Sequence, residues 1–193
     1  MLQYKYKSYN EYVKAQKEGY RKKRDKVWAV EDNIKAICEY IGPREFGICH
    51  GVRGGQEMDW FRKYSGAMVI GSEIGETNEP HSVQWDFNVH NPTWEGAFDF
   101  VYSNAFDHAY DPEATLRIWW EQLRSGGVLI IETDERNEHT GEVSKKVNPT
   151  DPTGITFDEL RSLIERVAGM SADIIDLPVV TYGYRSAVSA RKP

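Results

Sequence analysis

A short apolar run that leads into a glycine-rich turn is the feature of this sequence that most limits its fold. The run covers residues 46–50, and Gly51, Gly54 and Gly55 follow it. Glycine allows a sharp bend with positive φ and a close approach of a ligand to the backbone. Residues 58–64 then carry apolar and aromatic side chains at helical spacing. This order predicts a ligand-binding turn at the carboxyl end of a strand, where open α/β sheets bind their ligands.

The rest of the chain alternates between strand and helix patterns. Short apolar runs predict further strands at residues 67–73, 83–86, 98–104 and 128–132. Helical spacing and capping residues predict helices at residues 8–26, 30–41, 56–64, 112–124 and 157–168. The segments 172–180 and 184–190 are too close for a helical crossover, so we expect them to pair as an antiparallel hairpin. These patterns predict an α/β fold with a sheet of about seven strands.

Length and composition favour one globular domain, 1–193, with an N-terminal helical cap (1–42) and a sheet core (43–193). No apolar run approaches the roughly 18 residues needed to span a bilayer. The first residues lack the apolar core of a secretory signal. Cys38 and Cys49 give neither a disulfide framework nor a metal-ligand spacing. We therefore expect a cytoplasmic protein without a membrane anchor.

Charge is distributed unevenly along the chain. Residues 1–26 hold nine Lys and Arg against three Asp and Glu, whereas residues 27–193 hold 15 against 27. The basic run 21–24, with tyrosines nearby, could hold a phosphate-bearing partner or a nucleic acid backbone. A solvated helix face that offsets the acidic body explains the same run more simply. The acidic body disfavours sequence-specific binding of nucleic acid.

The 23 residues from 133 to 155 carry no helical period. Loops longer than roughly 12–15 residues in compact domains are usually functional or disordered. This segment leaves the carboxyl end of the central strand, so we interpret it as a substrate loop or lid, the alternative being a simple surface excursion. Asp134, Glu135 and His139 could bind a divalent metal, but their spacing fits no specific signature, and we predict no metal site.

Taken in their order along the chain, the glycine-rich turn and the strands and helices that follow it resemble the motifs of the class I S-adenosylmethionine-dependent methyltransferases. The fold of that family has seven strands with a terminal antiparallel hairpin. The glycine-rich turn matches the family's first motif, with Gly51 and Gly55 on its outer glycines. Two positions depart from that motif, because Cys49 stands where the family has an acid and Arg53 where it has the middle glycine. The resemblance implies a Rossmann-like methyltransferase fold, with S-adenosylmethionine as cofactor and S-adenosylhomocysteine as product.

The resemblance also implies which residues bind the cofactor. Glu73 lies 22 residues after Gly51 and ends the second strand, where a carboxylate accepts hydrogen bonds from ribose hydroxyls. Ile74 would lie against the adenine, Asp86 would accept from the adenine amino group, and the main-chain N–H of Phe87 would meet the ring. The implied cofactor-binding residues are Cys49, His50, Gly51, Arg53, Gly55, Glu73, Ile74, Asp86, Phe87 and Asn104.

The strongest match covers residues 96–112, within a resemblance that spans roughly 44–190. It has the family's FD pair, apolar strand, polar turn, histidine and Asp-Pro pair that opens a helix, and residues 124–127 complete it. Asp99 lies at the start of its strand and does not end it, so we expect a structural role for it. Asn104 is implied to contact the methionine portion of the cofactor.

His108 is the candidate catalytic residue. Methyl transfer from a sulfonium mainly requires alignment, and a general base helps when the acceptor is a hydroxyl. The pKa of a histidine suits this task, although His108 could instead only position its turn or cap the next helix. Arg53 could reach the cofactor carboxylate or a charged acceptor, or could point to solvent. Because Cys49 replaces the acid, one usual partner of the cofactor ammonium is missing.

The acceptor is indicated only as a class. Tyr9, Tyr12, Gln16 and Trp28 could fold over the cofactor as a lid, or could only cover the sheet edge. Residues 103–106 read Ser-Asn-Ala-Phe, which differs from the Asp/Asn-Pro-Pro-Tyr motif of exocyclic-amine methylation and so disfavours base methylation. We predict a small-molecule or glycan-like acceptor that is methylated on oxygen or nitrogen.

Two other functions compete with this prediction. Cys49 and Arg53 suggest a non-catalytic member of the same fold that binds the cofactor or a protein partner. A nicotinamide-dependent oxidoreductase would also use the glycine turn and Glu73. The turn lacks G-x-G-x-x-G spacing, however, and the sequence contains no Tyr-x-x-x-Lys motif, which disfavours the oxidoreductase.

Overall fold

The computed structural model describes residues 1–134, 147–179 and 185–193, and its centre is a seven-stranded sheet. The helices are α1 (Tyr9–Lys23), α2 (Glu31–Ile41), α3 (Gln56–Ser65), α4 (Pro112–Gln122) and α5 (Phe157–Ala168). The strands are β1 (Leu2–Gln3), β2 (Phe46–His50), β3 (Met68–Glu73), β4 (Ser82–Gln84), β5 (Phe98–Ser103), β6 (Leu123–Asp134), β7 (Thr153–Gly154), β8 (Asp173–Asp176) and β9 (Arg185–Arg191). In the described parts of the chain, no helix has the length and apolar character to cross a membrane.

The strand order in the sheet is β4-β3-β2-β5-β6-β9-β8. All pairs are parallel except those of β9, which runs antiparallel to both β6 and β8. The predicted α/β fold with about seven strands and a terminal antiparallel hairpin is therefore confirmed, while the turn of that hairpin, at 182–183, lies outside the described residues. The chain changes its direction across the sheet after β4, because β5 returns to the opposite side of β2. Open α/β sheets bind ligands at such a switch point.

Two apolar layers hold the helices against the sheet, because side chains alternate between the two faces along each strand. On β2, Ile48 belongs to the layer that contains Trp119 of α4. The next residue, Cys49, belongs to the layer that contains Ile34 of α2 and Phe61 of α3. Helix α2 is thus part of a layer packed on the sheet, so the predicted N-terminal cap divides into two helices with different positions.

The end of α4 differs from the sequence prediction. The helix ends at Gln122 and not at the Ser125–Gly127 turn, because Leu123 is extended and pairs with Phe98 of β5. The following residues form the irregular start of β6, where Gly126 has a φ of 78°. Strand pairing therefore overrides the helical spacing that extends beyond Gln122.

The segment predicted as a long loop, 133–155, is partly extended. Its first two residues continue β6, and residues 153–154 form β7, which pairs antiparallel with β1 near the N-terminus. Residues 135–146 lie outside the described part of the chain, and with them Glu135 and His139 of the candidate metal group. The interpretation of this segment as a lid stays a prediction.

Asp99 connects three strands at their amino-terminal ends. Its side chain is 2% exposed and accepts hydrogen bonds from the main-chain N–H groups of Glu45 and Phe46, at 2.9 Å each. It also forms an ion pair with Arg124 of β6. These contacts agree with the structural role expected for Asp99, because they join β2, β5 and β6 at the ends of the strands that lie opposite to the glycine turn.

We expect Asp99→Ala to lower the free energy of unfolding by about 3 kcal/mol, because two main-chain donors and a guanidinium lose their acceptor. Urea unfolding followed by circular dichroism measures this loss. Asp59→Ala is the control, since Asp59 is exposed and forms one ion pair with Arg62 on the same helix, a contact worth less than about 1 kcal/mol. Equal losses in the two variants would contradict the role given to Asp99.

Candidate functional site

The glycine turn after β2 is built from residues in the left-handed region. Gly51, Arg53 and Gly55 have φ values of 77°, 44° and 78°, and Gly55 is the N-cap of α3. A Cβ on Gly51 would lie 2.7 Å from the Cβ of Ala105, which follows β5. The N–H of Gly51 donates to the carbonyl of Ser72 at 2.9 Å. These contacts place the turn over the carboxyl ends of β3 and β5.

Glu73 joins this turn to the loop after β3. Its side chain is 5% exposed. One carboxylate oxygen accepts from the N–H of Arg53 at 2.9 Å, and the other accepts from the N–H of Gly75 at 3.3 Å. Because a carboxylate offers about four acceptor positions, both oxygens can accept further hydrogen bonds from a ligand.

An open cleft beside the turn brings together seven of the predicted site residues. They are Gly51, Arg53, Glu73, Ile74, Asp86, Phe87 and His108. The empty space in the cleft is about 530 Å³ with its open mouth included. The cleft lies at the switch point of the sheet, as the sequence predicts for a ligand-binding turn.

Helix α1 forms one wall of the cleft through Tyr12, Gln16 and Tyr20. The ring of Tyr20 packs on Gly75, where a Cβ would lie 2.2 Å from a ring carbon. The hydroxyl of Tyr20 donates to the carbonyl of Glu76 at 2.6 Å. The N-terminal helix therefore lines the crevice, while its function as a lid stays a prediction.

Asp86 connects α1 to the loop after β4. It does not end a strand as predicted, because β4 is an edge strand that pairs over three residues and ends at Gln84. One carboxylate oxygen accepts from the hydroxyl of Tyr9 at 2.8 Å. The other accepts from the main-chain N–H and the side-chain amide of Asn88, at 3.0 and 2.8 Å. Burial and the charge of Asp86 raise the pKa of Tyr9, so its hydroxyl remains a donor.

Two predicted site residues, Cys49 and His50, have their side chains in the core. They point to opposite faces of the sheet because they are neighbours on one strand. The ring of His50 stacks on Trp119, with centroids 4.8 Å apart, and its nitrogens lie 2.7 Å from the hydroxyl of Ser72 and 2.9 Å from the amide oxygen of Gln122. Burial lowers the pKa of His50 to about 4 and raises that of the Cys49 thiol. Their predicted contact with a cofactor is thus limited to main-chain atoms.

A smaller pocket opens on the other side of the glycine turn. Gly51 and Arg53 line both the cleft and this pocket. Asn104, which follows β5, lines the smaller pocket together with Trp28 and Glu57. The structure therefore places Asn104 in the smaller pocket, which shares Gly51 and Arg53 with the cleft.

Glu57 is a site residue that the sequence analysis does not single out. It lies in the first turn of α3, and its side chain is 6% exposed. Its pKa is raised to about 8, mainly by burial and in part by the charges of Glu73 and Glu132. An acid at the start of a helix is normally explained by the helix dipole, so no pattern in the sequence distinguishes Glu57 from the exposed Asp59.

His108 lies in a short 3-10 turn after β5 and borders the cleft. Its Nδ1 atom lies 2.6 Å from the carbonyl oxygen of Thr150. A carbonyl can only accept, so Nδ1 carries the proton and the lone pair of neutral His108 is on Nε2. Asp107 and Asp151 each place a carboxylate oxygen near the ring, so that the three ligand atoms lie within 4.8 Å of one another. Such groups are common without a metal, and one of the two ring nitrogens is already in use.

No protein-family model and no curated protein matches this sequence, whereas solved structures match it over nearly its whole length. The 1,6-didemethyltoxoflavin-N1-methyltransferase of Burkholderia thailandensis, solved with 1,6-didemethyltoxoflavin and S-adenosylhomocysteine, is 18% identical. That match covers 99% of this chain and 93% of the other, with a TM-score of 0.78. A possible histamine N-methyltransferase of Thermotoga maritima is 16% identical, and the match covers 96% of this chain and 100% of the other, with a TM-score of 0.63.

The [4+2]-cyclase SpnF also matches, with 13% identity, coverage of 84% of this chain and 80% of the other, and a TM-score of 0.65. At these identities the likeness establishes the fold, which is that of the class I S-adenosylmethionine-dependent methyltransferases. The fold predicted from the motifs is thereby confirmed. Because a cyclase shares it, the activity has to be argued from the residues of the cleft.

The left-handed backbone at Arg53 generates a prediction about stability. We expect Arg53→Gly to have a free energy of unfolding about 1 kcal/mol above that of Arg53→Ala, because a Cβ at a φ of 44° is strained. Both variants lose the guanidinium, so their difference isolates the backbone. Urea unfolding measures it.

Lys35, exposed in the middle of α2, is the matched control for this comparison. Lys35→Gly should be less stable than Lys35→Ala by about 1 kcal/mol, which is the ordinary helix propensity difference. If glycine is also the less stable substitution at position 53, the turn is not strained.

Proposed function

We propose that this protein is an S-adenosylmethionine-dependent methyltransferase. It would transfer a methyl group by in-line displacement to an oxygen or nitrogen atom of a small-molecule or glycan-like acceptor, and S-adenosylhomocysteine would leave as product. The observation that carries this proposal is the cleft at the switch point, where seven predicted site residues lie together in a class I methyltransferase fold.

The residues along the cleft support one orientation of the cofactor. Glu73 retains acceptor positions on both oxygens for the ribose hydroxyls. Ile74 and Phe87 offer apolar surface to the adenine, next to the carboxylate of Asp86. The methionine portion would then cross the glycine turn toward Asn104 in the smaller pocket.

His108 is the residue that we propose as general base. S-adenosylmethionine supplies a methyl group already activated by its sulfonium, so the protein has to align the acceptor and receive a proton. The carbonyl of Thr150 fixes the proton of His108 on Nδ1, which leaves Nε2 to take the proton of a hydroxyl or of an amine. A role in orienting the turn alone would require only the Nδ1 hydrogen bond.

The wall formed by α1 is the part of the cleft that we assign to the acceptor. It is lined by the amide of Gln16, the phenols of Tyr12 and Tyr20 and the ammonium of Lys23. The donors of the amide and the phenols bond to main-chain carbonyls, but their oxygens can still accept, which suits a small polar molecule that donates hydrogen bonds. The names of the two methyltransferases described above refer to methylation of nitrogen in small molecules. Nitrogen is therefore the acceptor atom that we would screen first. Nucleic acid is not proposed as an acceptor, because residues 27–193 hold 27 acidic against 15 basic side chains.

We propose that residues 1–193 form one domain. We also propose that the protein lies in the cytoplasm, where free thiols such as the buried Cys38 and Cys49 persist.

Binding of the cofactor is the first test. We expect wild-type protein to bind S-adenosylmethionine and S-adenosylhomocysteine, and Glu73→Gln to weaken both by about 10- to 100-fold, because charged acceptors for two hydroxyls are lost. Isothermal titration calorimetry measures both affinities.

Glu76→Gln is the control for this test, since it makes the same change at an exposed position three residues later. It should leave both affinities within about twofold of wild type, as expected for a surface charge. Wild-type protein that binds neither compound would sink the proposed function.

Turnover is the second test, and His108→Asn is the informative variant. The asparagine amide can still donate to Thr150, whereas no group replaces Nε2. We expect affinity for S-adenosylhomocysteine to stay within about twofold and the single-turnover rate of methyl transfer to fall about 100-fold or more. The acceptor is the first one that shows turnover in a screen of small amines, phenols and sugars.

Near-wild-type turnover in His108→Asn would show that the histidine only positions its turn. Binding of the cofactor with no turnover on any compound of the screen would favour the non-catalytic alternative.

A further inference from the structure

Glu57 is a buried acid that lines a pocket. The second residue of α3, it borders the smaller pocket together with Arg53, Lys26 and Asn104. No side chain in the described ranges forms an ion pair or a hydrogen bond with its carboxylate. The main-chain N–H of Glu57 donates to this carboxylate, but burial of a carboxylate without an ion-pair partner is unfavourable, and an apolar residue at this position would fold at lower cost. A perturbed acid in a pocket is therefore a candidate for ligand binding.

The position of Glu57 relative to Cys49 gives a reason for this acid. Cys49, at the end of β2, stands where the resemblance implies an acid, and it is fully buried. The charge of Glu57 is near enough to contribute to the raised pKa of the Cys49 thiol. The acid that the strand lacks is thus supplied by the first turn of the following helix, a few residues along the chain.

The charges around the smaller pocket match a zwitterion. Glu57 offers one negative charge, whereas Arg53 and Lys26 offer positive charges on the same pocket. Asn104 adds a side chain that can donate and accept. An α-amino acid group, with its ammonium toward Glu57 and its carboxylate toward the two basic side chains, would satisfy all of them.

We infer that Glu57 is the partner of a ligand ammonium in the smaller pocket. This inference rests on the proposed function, under which the ammonium belongs to the methionine portion of the cofactor. Glu57 is then a binding residue that replaces the missing acid at Cys49, and it acts on affinity and not on the chemical step.

Proton exchange provides a readout that a merely structural role would not give. With a pKa of about 8, Glu57 is mostly protonated at pH 7 in the unliganded protein. A bound ammonium favours the charged carboxylate, so binding expels the proton and affinity rises between pH 6 and 8. Calorimetry in two buffers with different ionisation enthalpies measures the number of protons released.

The test compares S-adenosylhomocysteine with 5′-methylthioadenosine, which lacks the amino acid group. We expect E57Q to weaken S-adenosylhomocysteine about 10- to 100-fold, to leave 5′-methylthioadenosine within about twofold, and to abolish proton release. D59N is the matched control, because it removes one charge from the exposed side of the same helical turn. It should change neither affinity.

Each outcome decides the inference. Equal affinities of E57Q and wild type for S-adenosylhomocysteine would overturn it, and so would an equal loss for both ligands, which would indicate a distorted turn. Wild-type protein that binds neither ligand would instead refute the proposed function and the inference with it. If E57Q does not fold, E57D is compared with wild type for the same two ligands. Its carboxylate keeps the charge but lies one methylene farther from the ligand.

Discussion

The cleft depends on the hydrogen bonds that the carboxylate of Glu73 accepts. Burial of a charged carboxylate costs free energy unless donors surround it, and the main-chain N–H groups of Arg53 and Gly75 are those donors for Glu73. The same two contacts fix the turn after β2 against the loop after β3. The residue proposed to bind ribose therefore also sets the geometry of the walls around it, whereas His108 lies on a short turn beyond the sheet and can be altered separately.

Those parts of the fold that were predictable are the ones set by local contacts. The capping box of Thr156 and Glu159 predicts the start of α5, and both of its hydrogen bonds are present, because a cap involves residues within one turn. The glycine turn is likewise defined by adjacent residues. By contrast, the hydrogen bond from Tyr9 to Asp86 spans 77 positions, and the pairing of β1 with β7 joins Gln3 to Thr153, which is about twice as far along the chain. The periodicity of the sequence cannot predict such contacts, because it reflects only residues that are close together along the chain.

Side-chain direction limited the prediction of the site. Cys49 and His50 are adjacent to the turn, yet the alternation of β2 sends one to each face of the sheet. Glu57 lies outside the motif residues, yet the first turn of α3 brings it to the smaller pocket. Glu73 and Ile74 line the cleft because they lie at the end of a parallel strand, and in this topology such strand ends face the crevice.

The contact between Tyr20 and Gly75 links two parts of the chain through shape, in addition to the hydrogen bond from Tyr20 to Glu76. A single Cβ at position 75 would overlap the tyrosine ring, so a larger residue there requires a smaller one at position 20. In natural variants of this chain the two positions are therefore expected to change together. Substitutions in the N-terminal helix would therefore be coupled to substitutions in the loop that it contacts, although the two segments are distant in sequence.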